Sequence, residues 1–234
     1  MEAGGEPVPV HIDELLHGQV DMTDFDALLL SGGFSYGDVI RSGAVLGRML
    51  RERLADDINT LVERGSPVVG ICNGFQVLVE TGLLPSGTID DAPKAVSLTR
   101  NQHGKFECDW ARVKVGQSAC KFLGPELVDS IQSLPYAHAE GRFVAPGQEL
   151  PSSQIVLQFV DDEGNIANSR PHNPNGSTDG ITAICDPSGV VLGMMPHPER
   201  ALYNYQHKAW RSGEGQNPFG MRLFEGIVQH AKSL

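Results

Sequence analysis

Cys72 lies in Gly70-Ile71-Cys72-Asn73-Gly74, where an apolar run, Pro67–Ile71, hands over to a helical pattern, Phe75–Thr81, that Gly82 can cap. A glycine on each side lets the chain turn sharply without a Cβ clash and lifts the residue between them, as in a nucleophile elbow. A thiolate there is favoured by the N-terminal end of the following helix, and the Asn73 amide is aimed where an oxyanion would form. The second half comes from Met194-Met195-Pro196-His197-Pro198-Glu199-Arg200. In this proline-stiffened stretch Glu199 can accept the Nδ1–H of His197 and leave Nε2 to face a thiol. Read alone, Cys72 is more often a small buried apolar residue, as most free cysteines are, and the His-Pro-Glu run only a turn. Read together they describe a Cys–His–Glu triad for acyl transfer.

Elements that could hold these residues follow from hydrophobic pattern. Val8–Ile12, Phe25–Leu30 and Pro67–Ile71 read as strands. Gly43–Arg64 carries Val45, Leu46, Met49, Leu50, Leu54, Ile58, Leu61 and Val62 at helical spacing. A strand–helix–strand unit needs a crossover and therefore parallel strands. The expected fold is α/β, an open, mostly parallel twisted sheet with helices on both faces. Beyond Pro85, Val96–Thr99, Phe106–Val115, Ile155–Val160, Ile181–Cys185 and Val190–Met194 read as added, partly antiparallel strands, with a hairpin at Asp186–Gly189. Gly220–Ala231 reads as a closing amphipathic helix and Asn168–Gly180 as a surface loop.

The 234 residues hold 18 Lys+Arg against 29 Asp+Glu, a formal charge of −11, with no cationic cluster to engage phosphates, so a nucleic-acid partner is not expected. One domain, 1–234, is expected at this length. No stretch approaches a membrane span, and the N-terminus lacks the marks of a signal peptide. Cys72, Cys108, Cys120 and Cys185 contain no CxxC pair, which points to a reducing cytoplasm rather than a disulfide framework. The eight histidines show no HExxH or HxH spacing, so no metal is expected. His103, His172 and His207 are expected at the surface, and Trp110 and Trp210 in core or interface packing.

A third pattern, Ser31-Gly32-Gly33-Phe34-Ser35-Tyr36-Gly37-Asp38, follows the strand Phe25–Leu30. Its glycines allow amides to face a ligand oxygen, although a plain tight turn is as compatible with the loop taken alone. The missing Gly-Lys-Ser/Thr ending and Asp38 argue against a phosphate. With this loop, the elbow GICNGFQVL, Pro135–Phe143 (PYAHAEGRF), Asn173–Ser177 and GMMPHPER, the chain resembles the class I (triad) glutamine amidotransferases. Within them it is similar to the glutaminase subunits or domains of phosphoribosylformylglycinamidine synthase, over most of its length.

The resemblance implies a flavodoxin-like core with Cys72 as nucleophile, His197 as base and then acid, and Glu199 as its orienter. It implies an oxyanion hole from Gly33 and Asn73, and a glutamine site helped by Gln76, His138, Glu140 and Gly141. Gln76 could equally be a helix-surface residue, and His138 and Glu140 could simply satisfy one another. It further implies no cofactor in this chain, ATP and Mg on a synthetase subunit, and a small third subunit in the complex. Members of the family open with a strand and helix ahead of the strand matched by Val8–Ile12, and both are expected to be missing here. Triad chemistry does not name the ammonia acceptor, so a subunit serving another acceptor and a silent scaffold of the same fold are the rival readings.

Overall fold

The computed structural model describes residues 1–147, 149–213 and 219–234. Its main sheet begins with β1 (Leu28–Leu30) and β2 (Val68–Ile71), joined through α2 (Ala44–Arg53) and α3 (Ala55–Glu63). The long helical pattern therefore breaks in two at Leu54, which leaves helical geometry (φ −135°, ψ 17°) and buries its side chain. Arg51 and Arg53 end α2 while Asp56 and Asp57 open α3, so each dipole end meets its complementary charge at the break.

From β2 the chain turns into α4 (Asn73–Thr81), which ends on left-handed Gly82 as expected. The short α5 (Leu83–Ser86) leads to β3 (Ser97–Thr99), then β4 (Glu107–Val115), β5 (Ile131–His138) and β6 (Arg142–Val144). The last strands are β7 (Ile155–Phe159), β8 (Ile181–Cys185) and β9 (Val191–Met194), and α6 (Phe219–Ala231) closes the chain. Strand order in the main sheet is β1-β2-β9-β8-β7-β4-β5, while β3 and β6 form a separate antiparallel pair. The pairs β1–β2 and β2–β9 are parallel and the rest of the main sheet is antiparallel. This is the α/β class with added antiparallel strands, the antiparallel part being extended by β5, which the sequence pattern did not reveal. Asp186 accepts from the amides of Ser188 and Val191 and closes the β8–β9 hairpin.

Two expectations are corrected. Val8–Ile12 forms no strand. Pro7 and Pro9 bring no amide donors to a ladder, and His11 caps α1 (Ile12–Leu16) in a reciprocal box with Glu14. Asn168–Gly180 is not a surface loop throughout, because Asn173, Asn175 and Ser177 are buried.

Packing fixes the elbow on the sheet. Every residue of α4 except Glu80 is buried, and the helix lies against β1, β2, β9 and α2. Gly193 on β9 receives the Phe75 ring: a Cβ there would overlap that ring and approach Leu84 Cδ1 to 2.7 Å. Gly193→Ala is expected to lower the urea unfolding free energy by roughly 2 kcal/mol through overpacking. An unchanged midpoint would contradict this packing.

Candidate active site

Cys72 adopts φ 52° and ψ −104°, a left-handed strain carried by a residue with a side chain. Neither flanking glycine has positive φ. Their smallness serves close approach instead: a Cβ on Gly70 would lie 2.5 Å from the Gly74 carbonyl, and one on Gly74 would overlap Leu30 O. The sharp turn is thus forced onto Cys72 by helix packing directly against strand.

The β2–β9 register sets the partner. Ile71 pairs with Met194, and the Cys72 amide donates to Met194 O at 2.7 Å. The chain leaves β9 three residues before His197 and returns across the elbow. A Cβ built on Gly32 would lie 3.5 Å from Cys72 Cβ and 3.1 Å from His197 Cε1, so the glycine loop passes over both side chains. His197 is 2% exposed, and its Nδ1 lies 2.6 Å from Glu199 Oε1. Since a carboxylate accepts, Nδ1 carries the proton and Nε2 is the bare acceptor. Nε2 has no partner.

The far end of the sheet curls back to complete the site. β4 pairs with β7 only at Val113–Val115, so its first half overhangs together with the second half of β5. Pro135 O of β5 accepts from the His197 amide at 2.8 Å, and Ala137 O accepts from Cys72 Sγ at 3.6 Å.

Asn73, Gln76 and Glu140 belong to a closed polar circuit that also includes Asp38 and Ser42, whose role sequence reasoning missed. Asn73 Nδ2 donates to Asp38 Oδ1 (3.3 Å) and to Gln76 Oε1 (3.0 Å). Gln76 Nε2 donates to Glu140 O (2.7 Å), the Ser42 amide to Glu140 Oε2 (2.9 Å), and Ser42 Oγ to Asp38 Oδ2 (2.9 Å). Gln76 is therefore a buried brace rather than a helix-surface residue. The backbone of Gly33 (φ 145°) is open to solvent on the side a Cβ would occupy.

His138 and Glu140 do not satisfy one another. His138 Nδ1 faces Asn101 Oδ1 (3.1 Å), which also accepts from the Gly141 amide (3.2 Å), and Gly141 packs flat on the His138 ring. Asn101 Nδ2 donates to Lys105 O and His138 O, so its oxygen is committed as acceptor and His138 Nε2 is bare. Burial holds the imidazole neutral, with its pKa pushed down to about 4. Asn175 Nδ2 supports this turn from below through Gly141 O, and Ser177 Oγ accepts from the Phe143 amide. Of the histidines expected at the surface, His207 is instead buried, edge-on to Trp110, and Trp210, expected in core or interface packing, is half exposed.

Six buried side-chain polar atoms among the described residues lack partners, and four belong to Ser35, His138, His197 and Glu199. Such orphans are rare in folded proteins, so their gathering around Cys72 marks where a ligand's polar groups fit. A cavity of about 350 Å³ opens on His197, Glu199 and Gly33 from the β1 side. Among the described residues no cluster of three or more His, Cys, Asp or Glu is placed to hold a metal ion, and no helix is long and apolar enough to cross a membrane.

Burial pushes the Cys72 thiol up to about 11, with the Asn73 amide offsetting part of that rise. In the ligand-free chain the sulfur is therefore a protonated thiol at neutral pH. Its alkylation by iodoacetamide, resolved from exposed Cys108 by peptide mapping, is expected to quicken steadily as pH rises from 7 to about 10. A plateau reached near neutrality would contradict the buried-thiol state.

A family model for the CobB/CobQ-like glutamine amidotransferase domain matches residues 1–231. Phosphoribosylformylglycinamidine synthase subunit PurQ of Methanococcus maripaludis strain C7 is 39% identical over 245 residues, covering 98% of this chain and 89% of that protein. The subunit of the same name from Dehalococcoides mccartyi is 37% identical over 234 residues, covering 99% and 90%. The solved structure of PurLQS from Thermotoga maritima superposes with a TM-score of 0.65 at 33% identity, covering 88% of this chain and 80% of that one. The matched region runs through both the elbow and the His-Pro-Glu segment, and the chain belongs to the CobB/CobQ-like glutamine amidotransferase family.

Proposed function

We propose that this chain is the glutaminase subunit of phosphoribosylformylglycinamidine synthase, hydrolysing glutamine and handing the ammonia to an ATP-dependent synthetase subunit in purine synthesis. One observation carries the chemistry: a cysteine held at a strained elbow beside a buried imidazole whose Nδ1 is anchored on a carboxylate and whose Nε2 is free. The PurQ name of its relatives supports the choice of complex.

In this reading Cys72 Sγ attacks the side-chain carbonyl carbon of glutamine while His197 Nε2 removes the thiol proton. General-base assistance answers the high resting pKa, because the thiolate need form only as the carbon–sulfur bond does. Glu199 steadies the imidazolium. The amides of Asn73 and Gly33 hold the tetrahedral oxyanion, with Asn73 fixed by the polar circuit. Collapse breaks the carbon–nitrogen bond, and Nε2–H protonates the departing amine to give ammonia and a γ-glutamyl thioester. Water, deprotonated by Nε2, then releases glutamate and restores the thiol. The bare Nε2 of His138 offers an acceptor to an amide N–H, and Gln76, Glu140 and Gly141 shape the wall around it. No metal enters these steps, and ATP and Mg belong to the synthetase. A small third subunit completes the proposed complex. The four free cysteines of the present chain suit a cytoplasmic setting.

Cys72→Ala is expected to abolish glutamine-dependent synthesis by the reconstituted complex while ammonium-dependent synthesis continues near the wild-type rate. Loss of both activities together, in a complex that still assembles, would contradict the division of labour.

A further inference from the structure

We infer that the synthetase docks on the exposed apolar crest Phe34–Ile40, the outer side of the loop whose inner side borders the catalytic thiol. The inference rests on the proposed role of the chain as an ammonia donor and adds the place of contact. Phe34 (67%), Tyr36 (45%), Val39 (78%) and Ile40 (75%) stand exposed within seven residues. Isolated exposed apolar side chains are ordinary, but a run of four on one loop is a feature of interaction surfaces.

The crest cannot fold inward to hide them. Tyr36, Gly37 and Asp38 all carry positive φ (53°, 65° and 50°). Asp38 is held at both oxygens, by Asn73 and Ser42, and the Ser35 amide donates to Asn73 Oδ1 at 3.1 Å. The Ser35 amide and the Asp38 carboxylate thus hold the loop against Asn73 and Ser42, which leaves its apolar groups directed to solvent.

Product chemistry selects the occupant. Ammonia released into neutral water is protonated and loses the lone pair that an acceptor needs, so the rim of the site must be sealed by the protein that consumes it. The crest is continuous with that rim, since Gly32 covers Cys72 and His197 while Asn73 ties the loop to the oxyanion side. Charge defines the complementary face. Beside the crest, Arg41 (2.5 Å) and Lys94 (2.7 Å) are both drawn onto the one carboxylate of Glu80, whereas the four exposed crest side chains themselves carry no charge. The partner surface that meets these four side chains is accordingly apolar, and its grip should survive salt that would dissociate a contact steered by the −11 charge of this chain.

The test titrates the full chain with the purified synthetase subunit from the same genome, at low salt and at about 0.5 M NaCl. Val39→Glu/Ile40→Glu is compared with wild type, with Phe34→Ser as a milder variant and Tyr205→Glu as a control at an exposed aromatic residue outside the crest. Circular dichroism and Cys72 alkylation verify that the free variants are folded as wild type is. Expected are at least a tenfold rise in Kd for the double variant, a smaller rise for Phe34→Ser, and none for Tyr205→Glu. Wild-type binding should weaken less than threefold in salt. Glutamine-dependent synthesis should fall with binding, while ammonium-dependent synthesis stays constant. Wild-type Kd in the folded double variant would overturn the docking site and leave the glutaminase reading standing, provided the wild-type complex uses glutamine. A wild-type chain that neither binds the synthetase nor supports glutamine-dependent synthesis would overturn both. Binding that collapses in salt would replace the apolar crest with a charged interface.

Discussion

The site depends on a single register. β2 and β9 run parallel and in step to their last residues, Ile71 opposite Met194, and the two chains then part in opposite ways. One turns abruptly into α4, leaving Cys72 at the tip. The other continues through Pro196-His197-Pro198, too stiff to wander, and sets His197 beside it. Binding at the carboxyl ends of parallel strands is common in α/β proteins because the loops there are free to carry chemistry while the strands keep them in place. Here the neighbourhood is closed by a strand from the far edge of the sheet. The overhang of β5 lends Pro135 O to the His197 amide and Ala137 O to the Cys72 thiol.

That enclosure has an electrostatic consequence. A sulfur with little access to water is poorly ionised, and the thiol is pushed well above its ordinary value. The same burial leaves two imidazoles with bare Nε2 atoms, each fixed in one tautomer by an acceptor on Nδ1: Glu199 for His197 and Asn101 for His138. They differ in how they meet their acceptors. Glu199 is a carboxylate that can stabilise an imidazolium, so His197 can shuttle a proton. Asn101 is neutral, and burial keeps His138 uncharged, which suits it to accept a hydrogen bond and not to donate a proton. Environment thus separates the work of two chemically identical side chains.

Local chemistry was readable from the sequence because it is written in contiguous residues. Gly70–Gly74 reports close packing of helix on strand, and His197 with Glu199 reports a bond between near neighbours. The reason for the glycines was not readable: they admit Leu30 and the neighbouring turn, while Cys72 itself bears the positive φ. β5 escaped because IQSLPYAH places polar residues and a proline where a strand pattern expects alternation, which an edge strand tolerates. Val8–Ile12 looked extended by composition, yet His11 and Glu14 make a helix start and the prolines bar a ladder. Asn173–Ser177 read as solvent loop because its residues are polar. Its side chains instead bond to one another and to Gly141, so a polar segment is buried at little cost. The circuit from Asp38 through Asn73, Gln76 and Glu140 to Ser42 joins three distant stretches and has no local signature.

The most direct trial of the central assignment is to find where glutamine's acyl group rests. The reconstituted complex would be mixed with glutamine, quenched in acid within a turnover, and its cysteine peptides weighed by mass spectrometry. The γ-glutamyl mass is expected on the peptide bearing Cys72, on no other cysteine peptide, and is expected to disappear as glutamate accumulates. An adduct on Cys108, Cys120 or Cys185, or brisk glutamate release with the Cys72 peptide never modified, would contradict the elbow as the seat of the reaction.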